Sequence, residues 1–218
     1  MLLLAALLCV SLAACGAKKT EEVDDAPMAG GWTLTADKAA ALPAELRDAF
    51  TQAAGDKLIP IALVGEQVVA GKNFMFLCND GGAYKMIVIY RDFQGKAELT
   101  QNFAFDLTDY TQGKSAEPGQ ALPGGWAAPE DLSSVPLTEE AQKAFDKAIG
   151  NFVGSSIEPM ALLGTQVVAG INYAILCRVT PVVPDAVSTI QVVTVYADLQ
   201  GNAEFTSFCM LDHARYNK

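Results

Sequence analysis

The chain has little of what most catalytic sites are built from. It carries a single histidine, His213, in the polar C-terminal stretch DHARYNK. Its five cysteines are Cys9, Cys15, Cys78, Cys177 and Cys209, and they form neither a Cys-x-x-Cys pair nor a Cys/His cluster. No zinc site or redox pair is therefore written in the spacing. No Gly-rich phosphate loop appears. Cys209 and His213 could suggest a nucleophile and base, but one falls on a strand and the other near the chain end. Glu139 and Glu140 read as the first turn of a helix, where the helix dipole favours acids. The chain is read as a non-enzyme, with no catalytic residue, no metal and no cofactor. Positive charge is scarce too: 15 Lys and Arg stand against 25 Asp and Glu, a formal net charge of −10. That argues against nucleic acid and anionic lipid as partners, since both select basic patches.

No apolar run reaches the roughly 20 residues of a membrane-spanning helix. The N-terminal MLLLAALLCVSL has instead the length of a signal-peptide core. Leu12-Ala13-Ala14-Cys15 follows it and looks like a bacterial lipobox, which implies cleavage before Cys15 and a lipid on its thiol. An ordinary signal peptide with a small-residue cleavage site is the other reading, and no Lys or Arg precedes the apolar run. Residues 1–14 are taken as the signal. Residues 15–29, small and charged, cannot bury enough surface to offset their ordering entropy and read as a tether. The expected location is the bacterial cell envelope, anchored through Cys15 and facing away from the cytoplasm.

What the chain does have is a long internal repeat. GGWTLTAD at Gly30 recurs as GGWAAPED at Gly124, and PIALVGEQVVAGKNFMFLC at Pro60 as PMALLGTQVVAGINYAILC at Pro159. YRDFQGKAELTQNFAFDL at Tyr90 recurs as YADLQGNAEFTSFCMLD at Tyr196. Each copy has about 80 to 90 residues, enough for a small domain. The reading is a first domain over 30–107, a Gly- and Pro-bearing linker over 108–123, and a second domain over 124–213.

Within the first copy, Leu42, Leu46, Phe50 and Ala53 form one apolar stripe, which predicts a helix over 43–54 stopped at Gly55. In the second, Thr138 is a fair N-cap, and Leu137, Ala141, Phe145, Ile149 and Phe152 form the stripe. Strand signals follow each helix: 60–70, 73–78, 84–91 and 97–107 in the first copy, with turns at Asp80-Gly81-Gly82 and Gln94-Gly95. A short strand is expected to open each copy at Trp32 or Trp126, residues read as packed caps. One helix has one apolar stripe and one sheet one apolar face, so each sheet is expected to wrap a helix. Cys78, Cys177 and Cys209 read as small core side chains, with a disulfide between Cys177 and Cys209 left open for a chain outside the cytosol.

The order of elements and the stretches Gln67-Val68-Val69-Ala70-Gly71-Lys72-Asn73-Phe74 and Gln166-Val167-Val168-Ala169-Gly170-Ile171-Asn172-Tyr173 resemble the cystatins. That family carries a Gln-x-Val-x-Gly hairpin and a glycine ahead of its first strand, the place held here by Gly30-Gly31 and Gly124-Gly125. The resemblance implies an α+β fold: two tandem cystatin-like domains, each with one helix packed on a four- to five-stranded antiparallel meander sheet. It also implies inhibition of papain-like cysteine peptidases by a non-covalent wedge. The protease-binding residues would be Gly30, Gly31, Gln67, Val68, Val69, Ala70 and Gly71, and Gly124, Gly125, Gln166, Val167, Val168, Ala169 and Gly170. The family's second hairpin usually bears Pro-Trp, whereas Asp92-Phe93-Gln94-Gly95 and Asp198-Leu199-Gln200-Gly201 stand here. Two readings stay open: a membrane-tethered, monomeric peptidase inhibitor, or a non-inhibitory envelope module that binds another protein or peptide.

Overall fold

A computed structural model describes residues 30–38, 41–115, 124–129, 137–150 and 152–216. The signal, the tether and Cys15 lie outside the described residues. The first repeat comprises β1 (Trp32–Lys38), α1 (Ala44–Ala54), β2 (Ile59–Val69), β3 (Gly71–Asp80), β4 (Ala83–Arg91) and β5 (Ala97–Phe105). Its strands form one antiparallel sheet in sequential order. The second repeat comprises β7 (Gly125–Ala127), α2 (Glu139–Ile149), β8 (Ser155–Val168), β9 (Gly170–Pro181), β10 (Thr189–Ala197) and β11 (Ala203–Met210). A two-residue strand, β6 (Lys114–Ser115), adds to its outer edge, parallel to β7. No described helix is long and apolar enough to cross a membrane.

The helices form for local reasons. In α2 the Thr138 side chain accepts from the Ala141 N–H, and Ala141, Ala144, Phe145 and Ala148 are buried on one face. In α1 the buried residues are Leu46, Ala49 and Phe50, and Gly55 ends the helix with a positive φ. Each helix is only 11 residues long, so most of its stability must come from what that face packs on.

The central strands of each sheet are buried on both sides. In β3, Phe74, Phe76 and Cys78 point to α1, together with Leu63, Ile87 and Ile89. The intervening Met75 and Leu77, with Val64, Met86 and Val88, point the other way. The second sheet repeats the arrangement: Tyr173, Ile175 and Cys177 pack under α2, while Leu163, Ala174, Leu176 and Val192 face away. The two away-facing surfaces meet in a single core, which also takes in Phe105, Tyr110, Trp126 and Tyr216. The order of layers is helix, sheet, sheet, helix.

This corrects the expected α+β pair of cystatin-like domains. The chain is mostly β, with two antiparallel sheets and low helix content. The physical reason lies in the strands. Each sheet has two apolar faces rather than one, and a short helix covers only one of them, so a second sheet covers the other.

Polar contacts pin the sheet-on-sheet packing. The buried Tyr84 hydroxyl donates to the Leu163 carbonyl oxygen across the interface, and burial pushes the phenol pKa up. Tyr110 and Tyr216 hydroxyls lie 3.1 Å apart. At the rim, Lys38 pairs with Glu158 at 3.3 Å and Arg178 with Asp37 at 3.4 Å. Strand β1 touches β8 and β10 and, through Arg178, β9, so it crosses that sheet rather than following one strand. Part of the segment read as a linker is built into this core: Leu107–Asp109 forms a 3₁₀ turn, and Tyr110 is buried and stacked on Phe105.

Candidate functional site

Three segments of each repeat meet at one end of its sheet. The first hairpin is as tight as a strand reversal allows, with Val69 paired to Gly71 and Ala70 alone at the tip. Lys72 pairs with Arg91, so the β4–β5 turn over Asp92–Gly95 lies at the same end. The Gly30 N–H donates to the Val68 carbonyl at 3.0 Å, which brings the segment ahead of β1 there too. In the second repeat the tip is Ala169, and the pairings Val168 to Gly170 and Ile171 to Ala197 give the same arrangement.

The invariant parts of the two motifs have structural tasks. Gln67 Nε2 donates to the Gly30 carbonyl at 2.9 Å, while its Oε1 accepts from Asn73 Nδ2 at 2.7 Å. Gln166 does the same with Gly124 at 2.8 Å and Asn172 at 2.7 Å. Each glutamine thus ties the N-terminal segment to the hairpin. Gly71 and Gly170 have φ of 130° and 135°, a region that favours glycine. A Cβ there would lie 2.5 Å from the Arg91 carbonyl oxygen or 2.3 Å from that of Ala197. Tyr90 and Tyr196 close the lock, their hydroxyls donating to the carbonyls of Ala70 and Ala169.

The side chains left for a partner are the valines. Val68 and Val69 are 42% and 38% exposed, and Val167 and Val168 are 69% and 43% exposed. Beside them stand two residues the sequence reading passed over, Phe93 and Leu199, each 81% exposed at the tip of the second hairpin. Their signal was available: an apolar residue placed second in an Asp-x-Gln-Gly turn, twice. The acidic residue of that turn is structural. Asp92 Oδ1 accepts from the N–H groups of Gln94 and Lys96, and Asp198 accepts from those of Gln200 and Asn202. The Asn202 side chain, with these amides, holds the Asp198 carboxyl below its ordinary pKa. Lys147, near the end of α2, braces the turn by donating to the Gly201 carbonyl at 2.6 Å.

The two edges differ in charge. Lys72 pairs with Glu66 at 2.9 Å beside the first tip. In the second repeat Ile171 stands where Lys72 does, partly exposed, which makes that edge the more apolar.

Elsewhere the chemistry is quiet. No group of His, Cys, Asp and Glu among the described residues could hold a metal ion. The thiols of Cys78, Cys177 and Cys209 are free. Burial raises the pKa of Cys78 and Cys177 far above the range of a reactive thiol. Cys209 packs against the sheet–sheet core. No family model matches the chain, and no curated protein matches it.

Proposed function

We propose that the sheet end carrying Val68, Val69 and Phe93, and its counterpart carrying Val167, Val168 and Leu199, is a wedge that enters a partner's cleft and inhibits papain-like cysteine peptidases without reacting. The observation that carries this reading is the shared position of three segments at one end of a sheet, with exposed apolar side chains on braced turns. A preformed edge loses little entropy on binding, and the second edge, with Ile171 in place of Lys72, has less charge to desolvate than the first. The choice of papain-like peptidases rests on the motif resemblance at Gln67–Gly71 and Gln166–Gly170. A lipid on Cys15 would hold the inhibitor at the envelope surface.

The test is inhibition of papain by the purified chain at micromolar concentration. Gly71 and Gly170 are unsuitable probes, because any side chain there disturbs the hairpin itself. Val167→Asp with Leu199→Asp alters exposed side chains only, and is expected to cost more inhibition than Val68→Asp with Phe93→Asp, since the second edge is the more apolar. Papain left untouched by the intact chain would sink the reading. The absence of Pro-Trp at Asp92–Gly95 and Asp198–Gly201 favours the second reading, a non-inhibitory module using the same edge to hold another envelope protein or peptide. Recovery of a non-peptidase partner, lost in the same Asp variants, would support it.

A further inference from the structure

The crossing of the two sheets sets where their edges point. Strand β1 runs over β8, β9 and β10, three neighbours in the second sheet. Its end at Asp37 and Lys38 meets Arg178 and Glu158, which pair with each other far from the Ala169 tip. On the other side of the first sheet Leu107, just past β5, lies so close over Gly164 that a Cβ there would be 2.8 Å from its side chain. Gly164 is nearer to the Ala169 tip than Glu158 is. Moving across the first sheet from β1 to β5 is therefore moving along the strands of the second. The two sets of strands stand near a right angle, the orthogonal class of sheet packing.

Distances follow from the strand rise. Tyr84 meets Leu163 and pairs with Asn79. From Asn79 back to the tip at Ala70 is about 30 Å of strand. From Leu163 to the tip at Ala169 is about 20 Å. At right angles these lengths set the two tips about 35 Å apart, pointing in different directions. The packing covers neither edge: Val68, Val69 and Phe93 are exposed in the same folded chain as Val167, Val168 and Leu199. A partner of about 200 residues has a radius of about 20 Å. Two such bodies, one seated on each tip, have centres about 50 Å apart or more, beyond the roughly 40 Å at which they touch.

We propose that the chain is two-headed: each edge seats its own partner molecule, and both seats fill at once in a complex of one chain with two partners. This rests on the wedge reading above. A single cleft does not take both edges, because their tips are too far apart and diverge. The heads are unequal. Glu66 and Lys72 flank the first tip, and Thr165 and Ile171 the second. The first head has more charge to desolvate, so it fills at the higher partner concentration.

Native mass spectrometry and sedimentation of the purified chain titrated with papain read the stoichiometry. The intact chain is expected to pass through a one-to-one complex and to end as one chain with two papain molecules. Val68→Asp with Phe93→Asp, and Val167→Asp with Leu199→Asp, are each expected to stop at one-to-one. Saturation of the intact chain by a single papain overturns the two-headed arrangement and leaves the wedge reading standing. So does loss of all binding in either double variant, which would make the two edges parts of one site. No papain bound by the intact chain overturns the wedge reading and this proposal with it.

Discussion

Asn73 and Gln67 face each other across the first hairpin, the amide of Asn73 donating to the side-chain oxygen of Gln67 at 2.7 Å. Asn172 and Gln166 repeat the contact at the same distance. The glutamine has its oxygen used by the hairpin and its nitrogen by the preceding glycine, so one side chain holds two segments in register. Gln166 is the more enclosed of the two, at 7% exposure. Replacing it by alanine leaves Asn172 and the Gly124 carbonyl without their partner, an expected loss of about 1–3 kcal/mol. Gln67→Ala is expected to cost less, because solvent can reach its partners. Urea unfolding of both variants measures the difference, and equal losses would contradict the assignment.

The glycines of the tips are fixed by space as well as by φ. Gly170→Ala is expected to destabilise by at least about 1–3 kcal/mol, the cost of a strained backbone at a non-glycine residue, with the clash against Ala197 and Tyr196 added. Tyr196→Phe removes only the hydroxyl that holds Ala169, at about 0.5–1.5 kcal/mol. Thermal unfolding that ranks these two the other way would show that the hairpin has room to relax.

Each repeat contains one tryptophan, Trp32 or Trp126, which makes the coupling between repeats directly visible. The common core predicts that, within each of Trp32→Phe and Trp126→Phe, urea unfolding followed by the remaining indole coincides with unfolding followed by far-ultraviolet circular dichroism. Leu176→Ala, from the sheet–sheet core, is expected to cost about 2–5 kcal/mol and to shift both reporters together. Two separated transitions would mean that the repeats fold independently.

Asp198 gives a pH dependence with a defined sign. Its folded pKa is depressed, so its contribution to stability is present above the unfolded value of about 3.9 and fades as pH falls through the lower folded value. The stability difference between the protein and Asp198→Asn should therefore be steady near neutral pH and shrink in acid below about pH 4. Asp198 is exposed, so the difference is small. NMR titration of the carboxyl checks the direction, and an ordinary pKa would remove the argument.

Much of the local structure could be read from the residues. The stripe of Leu46 and Phe50 gives α1 over Ala44–Ala54, and Asp80-Gly81-Gly82 marks the turn between β3 and β4. The hairpin tip was visible in Gln67–Gly71 because glycine there has a conformational reason. The second apolar face was also present in the letters: Phe74-Met75-Phe76-Leu77-Cys78 does not alternate, which is the pattern of a strand buried on both sides. What no local pattern gives is the identity of the covering surface. Tyr84 meets Leu163 across a separation of 79 residues, and nothing in the neighbourhood of either names the other. Nor does Lys114-Ser115 look like a strand. It becomes one only because the edge of β7 offers it hydrogen bonds.

The sheet–sheet core has a consequence for how such a chain arises. A protein with a single repeat would show Met75, Leu77, Met86 and Val88, or Ala174, Leu176 and Val192, to water. It would need a second copy of itself to cover them, and its stability would then depend on its own concentration. Joining the copies in one chain makes that association intramolecular. It also lets the two halves diverge, so that one edge can keep Lys72 while the other takes Ile171 without either losing its partner.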